Sequence, residues 1–447
     1  MALTVTQSKL ISASISFFST LLIFKALPQS QYGLLALALI FFAFFDALVK
    51  FPESSLIRFI PTSGKLFQHK LISSVLMLFI SLLLVVLVLL FLTKPLSVFL
   101  LNIEDNFIIE YEKLYLALII SLLPKTIMFF QISFLNSYKR YKSLLKITVL
   151  KSLFTLTIAV IVSYQNLQVW EYIELSAAGY SLLSVMIFFE IKKEIKISIR
   201  KIITFAKLQN FNSVLKEIFI PYSLPLLGVG FLSIFRNQLP NYVIGYSSSY
   251  DTLAIFSIIR KVTNFFHKGL SGLTETLYPK LFQLVINRNK SLEFYFWLNL
   301  TLRILIFIIF ATNYNLFISY MDIKEENYTY FLYISLWLVF LFLHFGMFFN
   351  LIVQSKARTL AILQTSIVRV SFFSILLPLS MIYFGIFSFI ISLVILEIIF
   401  NAMLIILIKE SYLFKKILFS FVSSIFLLFI IFSNSIVELY DKFLIIS

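Results

Sequence analysis

Charged side chains interrupt the longest apolar stretches of this chain at a few positions, and their types are those that bind anions or carry protons. The basic ones, each near the middle of an apolar stretch, are Lys125, Arg236, Arg260, Lys261, Arg303 and Arg369. Glu397 is equally central, Asp46 lies nearer one end of its stretch, and His344 stands within another. A charge at the centre of a bilayer is costly and usually faces a cavity, a partner or a pathway.

The cations in these stretches outnumber the carboxylates, so pairing within the chain cannot neutralise all of them. A bound anion would balance them, and arginine offers a planar fork of donors that matches phosphate and carboxylate. The pattern favours a cationic, anion-binding set over a purely structural one. Asp46, Glu397 and His344 are candidates for carrying a coupling ion. Glu397 has the alternative of pairing with Arg369, and a lone histidine such as His344 is more often a hydrogen-bonded core residue.

One apolar stretch carries polar residues at helical spacing. Arg260, Asn264, His267, Lys268 and Ser271 recur at positions that share one face of a helix. A polar stripe on an apolar helix predicts a face turned towards an aqueous lumen. Lys268 is near enough to the end of the stretch to extend its ammonium to the membrane surface.

The composition excludes a soluble globular protein. Apolar residues make up 60% of the chain, charged residues 13%, and the mean hydropathy is +0.98. The chain has no cysteine and only three histidines, so we expect no disulfide and no metal site. The nucleotide-binding motif G-x-x-x-x-G-K-[ST] is absent from the sequence, so we expect no nucleotide cofactor. The net charge of +16 is spread over short loops, which indicates membrane orientation and anionic lipid rather than nucleic acid.

Apolar stretches of about 20 residues, enough to cross a bilayer core, recur along the chain. They cover 8–27, 33–51, 70–93, 113–135, 144–164, 169–189, 226–245, 252–273, 294–313, 328–353, 360–382 and 386–408. A further apolar run at 417–434 is a candidate thirteenth span. The sequence therefore predicts an all-α polytopic membrane protein with 12 core transmembrane helices.

A basic polar interval divides these spans into two groups of six. It predicts a lobe at 1–189, a cytoplasmic connector at 190–216, a second lobe at 217–408 and an extra apolar segment at 409–447. With the N-terminus in the cytoplasm, all the lysine-rich and arginine-rich loops lie inside, as the positive-inside rule requires.

The two groups also contain a repeated element. A tyrosine and a proline bracket each copy, Tyr32 with Pro61 and Tyr250 with Pro279, at the same spacing of 29. We expect both prolines to end their helices at the cytoplasmic surface. Copies six spans apart have the same orientation, which predicts a parallel pseudo-two-fold repeat, an architecture that suits alternating access.

Two segments resemble a known family. LPQSQYGLLALALIFF…LIRFIP near the start, and IPYSLPLLGVGFLSIFRNQLPNYVIGYSSSYDTLAIFSIIRKVTNFF…LYPKLF in the second half, resemble the polysaccharide-transport branch of the MOP exporter superfamily, the Wzx-type O-antigen and capsule-unit flippases. The resemblance spans most of residues 1–410. The chain has Arg236 and Asn237 where family members often carry an acid, so no acidic coupling residue carries over there.

The resemblance implies two six-helix lobes around a central cavity in the cell inner membrane. The implied cargo is an undecaprenyl-diphosphate-linked oligosaccharide, moved to the outer leaflet, and the implied partners include membrane lipids, a polysaccharide polymerase and a chain-length regulator. Two alternatives stay open. One is a small-molecule or multidrug antiporter of the same superfamily, which would need fewer intramembrane cations. The other is a membrane-embedded glycan polymerase or glycosyltransferase, which would need a larger outward loop.

Overall fold

The described part of the chain folds almost entirely into helices. The computed structural model describes residues 2–50, 52–62, 64–194, 208–286, 291–323, 328–355 and 359–407. The α-helices are α1 (Ala2–Ala26), α2 (Gln29–Lys50), α3 (Glu53–Phe59), α4 (Lys65–Leu100), α5 (Ile108–Ser137), α6 (Tyr141–Gln165), α7 (Val169–Glu194), α8 (Leu208–Val214), α9 (Leu224–Ser247), α10 (Tyr250–Ile286), α11 (Ser291–Thr312), α12 (Tyr314–Met321), α13 (Thr329–Ser355) and α14 (Thr359–Leu407).

Each of the 12 predicted spans coincides with one of these helices or with half of one. Within the described residues, eight stretches are long and apolar enough to cross a membrane by length and composition. The predicted all-α polytopic fold is therefore confirmed, and the chain is a multi-pass membrane protein. The candidate thirteenth span at 417–434 lies outside the described residues.

The last two predicted spans are the two halves of α14. Gly385 interrupts this helix with a φ of 72° and a ψ of −168°, in the region that side chains with a Cβ rarely enter. Gly385 therefore marks the boundary that the sequence predicts between 360–382 and 386–408.

The helices group into two compact units, residues 1–258 and 259–447. In the first, α5 packs along α7 and α1 packs along α6. In the second, α13 packs against α11 and α14. The predicted lobe boundaries, with the second lobe beginning at 217, stay a prediction.

Part of the basic connector is helical and packs into the first unit. Helix α8 leads into a π-helical segment, Leu215–Ser223, which contains Pro221. A proline lacks the backbone N–H of a regular α-turn, and such wider turns accommodate the loss. Val214, Ile218 and Phe219 are buried in the apolar core of the first unit. Residues 195–207 of the connector lie outside the described part of the chain.

The repeated tyrosines begin corresponding helices. Tyr32 lies in the first turn of α2 and Tyr250 begins α10, and both rings are buried. The two helix starts touch each other, since a methyl group at Gly33 would collide with the carbonyl oxygen of Tyr250. The backbone N–H of Glu104 donates to the Tyr250 hydroxyl at 3.1 Å.

The prolines that close the repeat behave differently from each other. Pro61 lies in a short 3₁₀ turn, Ile60–Thr62, that follows α3, so this helix ends where the sequence predicts. The same expectation for Pro279 was wrong, because α10 continues through it to Ile286. Membrane helices tolerate internal prolines when neighbouring groups satisfy the freed carbonyl.

Candidate functional site

In the first unit, one carboxylate faces several lysines. Asp46, on α2, binds the ammonium of Lys50 one turn further along, with Nζ 2.6 Å from Oδ2. The Nζ of Lys125, on α5, lies 3.8 Å from the other oxygen, Oδ1. These side chains are partly exposed, at 20% for Asp46 and 30% for Lys125. The carboxylate is therefore shared between two ammonium groups that keep access to the surroundings.

A third lysine belongs to the same group of charges. Lys151, on α6, places its ammonium 4.3 Å from the centre of the Phe129 ring, and Lys50 lies 3.9 Å from the centre of the same ring. Within the described residues, the ammonium of Lys151 makes no hydrogen bond or ion pair. The face of an aromatic ring attracts a cation but does not cancel its charge. We call Asp46, Lys50, Lys125 and Lys151 the lysine cluster.

The local sequence explains how these charges come together. Asp46 and Lys50 are four residues apart on a helix, which places them on one face. Glu53 follows on α3, receives a hydrogen bond from Ser133, and lies within Coulomb range of Lys50 and Asp46. Even with Glu53 ionised, three ammonium groups face two carboxylates, so the cluster carries a net positive charge.

A cleft of about 280 Å³ opens beside Lys151, between α6 and α7. It is lined by Lys151, Phe154, Thr155, Ile158, Tyr172, Ser176, Gly179, Tyr180 and Leu183. The lining residues recur every three or four positions on each helix, so they form two facing stripes. One ammonium group, several hydroxyls and aromatic rings therefore line the same space.

In the second unit, Arg303 on α11 is fully buried, at 0% exposure. Its Nε donates to Asn299 Oδ1 at 3.0 Å, and its Nη1 donates to the carbonyl oxygen of Phe340 at 2.9 Å. Nη1 also lies 3.1 Å from His267 Nδ1. A guanidinium can only donate, so this ring nitrogen accepts and carries no proton in the contact.

His344, on α13, extends this network. Its Nδ1 lies 3.0 Å from Asn299 Oδ1, which already accepts from Arg303, so His344 Nδ1 is the donor. The other ring nitrogen, Nε2, is buried and makes no hydrogen bond with any described residue. The expectation that His344 is a hydrogen-bonded core residue is confirmed.

Arg369 and Glu397 form a buried ion pair across the two halves of α14. Nη2 of Arg369 donates to Oε1 of Glu397, and both side chains are less than 10% exposed. The guanidinium lies 4.1 Å from the centre of the Phe400 ring. Of the two alternatives for Glu397, pairing with Arg369 is therefore confirmed. Glu397 is also within Coulomb range of Arg260.

The other predicted cations occupy less enclosed positions. Arg236, on α9, is half-buried, and its guanidinium lies 3.5 Å from Asn237 Oδ1. Arg260 is also half-buried, whereas Lys261 is exposed. The role of all six cations in substrate binding, and that of Asp46, Glu397 and His344 in coupling, stays a prediction. No group of three or more metal-ligating side chains occurs among the described residues.

Sequence reasoning missed Lys50 and Lys151 as members of the site. Lys50 is the last residue of α2, and Lys151 lies within the predicted span 144–164. The position of Lys151 inside an apolar span was the available signal.

No protein-family model matches the chain, and no curated protein matches it in sequence. Solved structures do match in fold. An inward-facing multidrug resistance MATE family transporter of the MOP superfamily aligns with a TM-score of 0.65 and 14% identity, over 90% of this chain and 96% of that one. The lipid II flippase MurJ in its inward closed conformation aligns with a TM-score of 0.66 and 16% identity, over 96% of this chain and 92% of that one. The MATE multidrug transporter DinF-BH aligns with a TM-score of 0.62 and 11% identity, over 92% of this chain and 94% of that one. The chain therefore has the fold of these transporters.

Proposed function

We propose that the protein is a flippase that moves undecaprenyl-diphosphate-linked oligosaccharide units, of O-antigen or capsule type, from the cytoplasmic to the outer leaflet of the cell inner membrane. The observation that carries this proposal is the lysine cluster, where Lys50 and Lys125 share Asp46 and the ammonium of Lys151 lies over the neighbouring Phe129 ring. An unbalanced positive charge in a membrane protein is stabilised by an anion that visits the site. A diphosphate or an acidic sugar supplies that anion.

The fold and the sequence support the same proposal. The structural match named as a lipid II flippase handles, by that name, a lipid-linked substrate, and it covers nearly the whole of both chains. The segments around Tyr32 and Tyr250 resemble polysaccharide flippases. A polysaccharide polymerase and a chain-length regulator are the partners that this function implies.

Coupling to an ion is part of the proposal. Among the three candidates, Asp46 has a side chain that is 20% exposed, whereas that of Glu397 is 8% exposed and His344 is fully buried. Asp46 is therefore the best placed to exchange a proton, and doing so would release Lys50 and Lys125 towards the cargo. Alternating access between the two leaflets is the corresponding transport cycle.

A multidrug antiporter is the second candidate, and the MATE structures favour it as much by fold as MurJ favours the flippase. The lysine cluster separates the two, because a net positive site repels an organic cation and attracts a diphosphate.

The test is a transport assay on the purified full-length protein in proteoliposomes. One arm measures translocation of a fluorescent polyprenyl-diphosphate oligosaccharide, and the other measures uptake of a cationic dye against a proton gradient. We expect translocation of the lipid-linked glycan above the protein-free rate and no dye uptake. Dye uptake without glycan translocation would establish the antiporter instead.

A further inference from the structure

We infer that the cleft between α6 and α7 binds one acidic sugar ring, with the carboxylate of the sugar on Lys151. The inference rests on the proposed glycan transport and specifies the cargo, since nothing in that function requires the glycan to be acidic. It concerns the cleft of about 280 Å³ described above, which lies beside the lysine cluster but has its own lining.

The charge of Lys151 is the first argument. Its ammonium touches only the Phe129 ring among the groups described, while Asp46 is engaged with Lys50 and Lys125. Lys151 is thus the member of the cluster whose charge has no carboxylate in contact. A single ammonium suits a monoanion such as a carboxylate, whereas a diphosphate is better matched by several cations or by arginine forks.

The hydroxyl groups are the second argument. Ser176 and Tyr180 line the cleft, and neither hydroxyl makes a hydrogen bond with the part of the chain that the structure describes. Each of these groups both donates and accepts, which is the capacity that the hydroxyls of a sugar require. These hydroxyls therefore suit a ligand that is itself rich in hydroxyls.

The shape of the cleft is the third argument. Phe154, Tyr172 and Tyr180 line the cleft with aromatic rings, and the C–H face of a sugar ring packs against such rings. Gly179 has no side chain to fill the cleft, and a methyl group at this position would come within 3.2 Å of Ile158 Cδ1. The rings belong to two adjacent helices and form one local surface, which suits contact with a single sugar of the repeat unit.

The absence of cysteine from the native sequence makes a direct test available. Ser176→Cys places a single thiol in the cleft, and Ser163→Cys places one at an exposed position on α6 as the matched control. The full-length protein in nanodiscs is labelled with a water-soluble maleimide in the presence of glucuronate, glucose or inorganic phosphate. We expect millimolar glucuronate to slow labelling of the thiol at position 176 several-fold, glucose to have a much smaller effect, and labelling at position 163 to be unaffected by either.

The ammonium is tested by a second substitution. Adding Lys151→Gln to the Ser176→Cys protein should raise the glucuronate concentration needed for protection about 10-fold or more, because a charge-assisted hydrogen bond is lost. Lys146→Gln on the same helix, whose lysine pairs with Glu190 near the helix start, should leave protection unchanged.

Each other outcome overturns the inference. A thiol at position 176 that does not react shows a cleft closed to water, and equal protection by phosphate and glucuronate shows a phosphate site. Protection that survives Lys151→Gln removes the lysine from the site. The proposed function fails separately, if the wild-type protein does not translocate any lipid-linked glycan in proteoliposomes.

Discussion

The lysine cluster of the first unit and the Arg369–Glu397 pair of the second show two ways of keeping charge inside a membrane protein. Asp46 is shared by two lysines, a third lysine has no carboxylate in contact, and the side chains are 20–30% exposed where they pair. Arg369 is matched one to one by Glu397 at less than 10% exposure. The first arrangement has positive charge available for a ligand, and the second has its charges matched within the fold.

The clefts beside the two sites differ in the same way. The cleft at Lys151 offers hydroxyls from Ser176 and Tyr180. The cleft at Arg369, of about 210 Å³, is otherwise lined only by apolar side chains. Apart from Arg369 itself, that cleft has no hydrogen-bonding group to orient a sugar, so the comparison favours ligand binding in the first unit and a structural role for Arg369.

The largest effect is expected at Arg303. Arg303→Ala removes the side-chain donor to the carbonyl of Phe340 and one of the two donors to Asn299 Oδ1, and it opens a buried cavity, at a cost of about 3–5 kcal/mol. We expect most of the folded protein to be lost, as measured by size-exclusion chromatography of a fluorescent fusion. Leu302→Ala, at the exposed neighbouring position, is the matched control and should be close to neutral. A stable Arg303→Ala protein that has lost transport would move Arg303 into the substrate site.

The second-largest loss of stability is expected at the Arg369–Glu397 pair. Arg369→Gln and Glu397→Gln each strand a buried charge and should each cost roughly 3–5 kcal/mol of stability. The double substitution leaves no stranded charge, so its cost should be well below the sum of the two. Thermal unfolding of the three variants measures the difference. Additive losses would mean that the two residues do not act as a pair.

Lys125→Gln should have a small effect on stability and a larger effect on affinity for the cargo. The pair with Asp46 is partly exposed, so its loss should cost at most about 1 kcal/mol of stability. Affinity for an anionic cargo should fall about 10-fold, since a charge-assisted contact is removed. Glycan translocation and unfolding temperature are measured on the same preparation. If Lys125→Gln unfolded the protein as readily as Arg369→Gln, the contrast between the two units would not hold.

The smallest effect is expected at Asp46, and it should have the opposite sign. Asp46 lies within Coulomb range of Lys151, so Asp46→Asn removes a negative charge that repels an anion bound there. Glucuronate should then protect a thiol at position 176 at a concentration about 2- to 5-fold lower, the range that a partly exposed pair allows. Weaker protection would show that Asp46 positions the lysines for the ligand and does not repel it.

Much of the fold is predictable from the sequence because the bilayer imposes a length on each apolar segment. The 12 spans follow from that length, and the division of α14 at Gly385 follows from the conformation that glycine allows. The helix end predicted at Pro279 was wrong because a proline favours, but does not force, the end of a helix, and α10 continues through it. The helix Leu208–Val214 was not predicted because the connector around it is polar in composition.

The candidate site was less predictable, because hydropathy locates a charge along a span but not around the helix. Arg303 and Lys125 occupy similar depths in their predicted spans, yet one is sealed among packed helices and the other is partly open. The ion pair of Arg369 with Glu397 could be proposed from the shortage of acids in the spans. The convergence of Lys50 and Lys151 on Phe129 could not, since it depends on how three helices pack.

The most direct test of the lysine cluster as the anion site is translocation of a fluorescent polyprenyl-diphosphate oligosaccharide by the triple variant Lys50→Gln, Lys125→Gln and Lys151→Gln. The matched control replaces three lysines outside the cluster, Lys113, Lys142 and Lys146, by glutamine. The variant with the cluster removed should translocate at the protein-free rate while it unfolds within a few degrees of the wild type, and the control should keep its activity. Equal translocation by both triple variants would contradict the account.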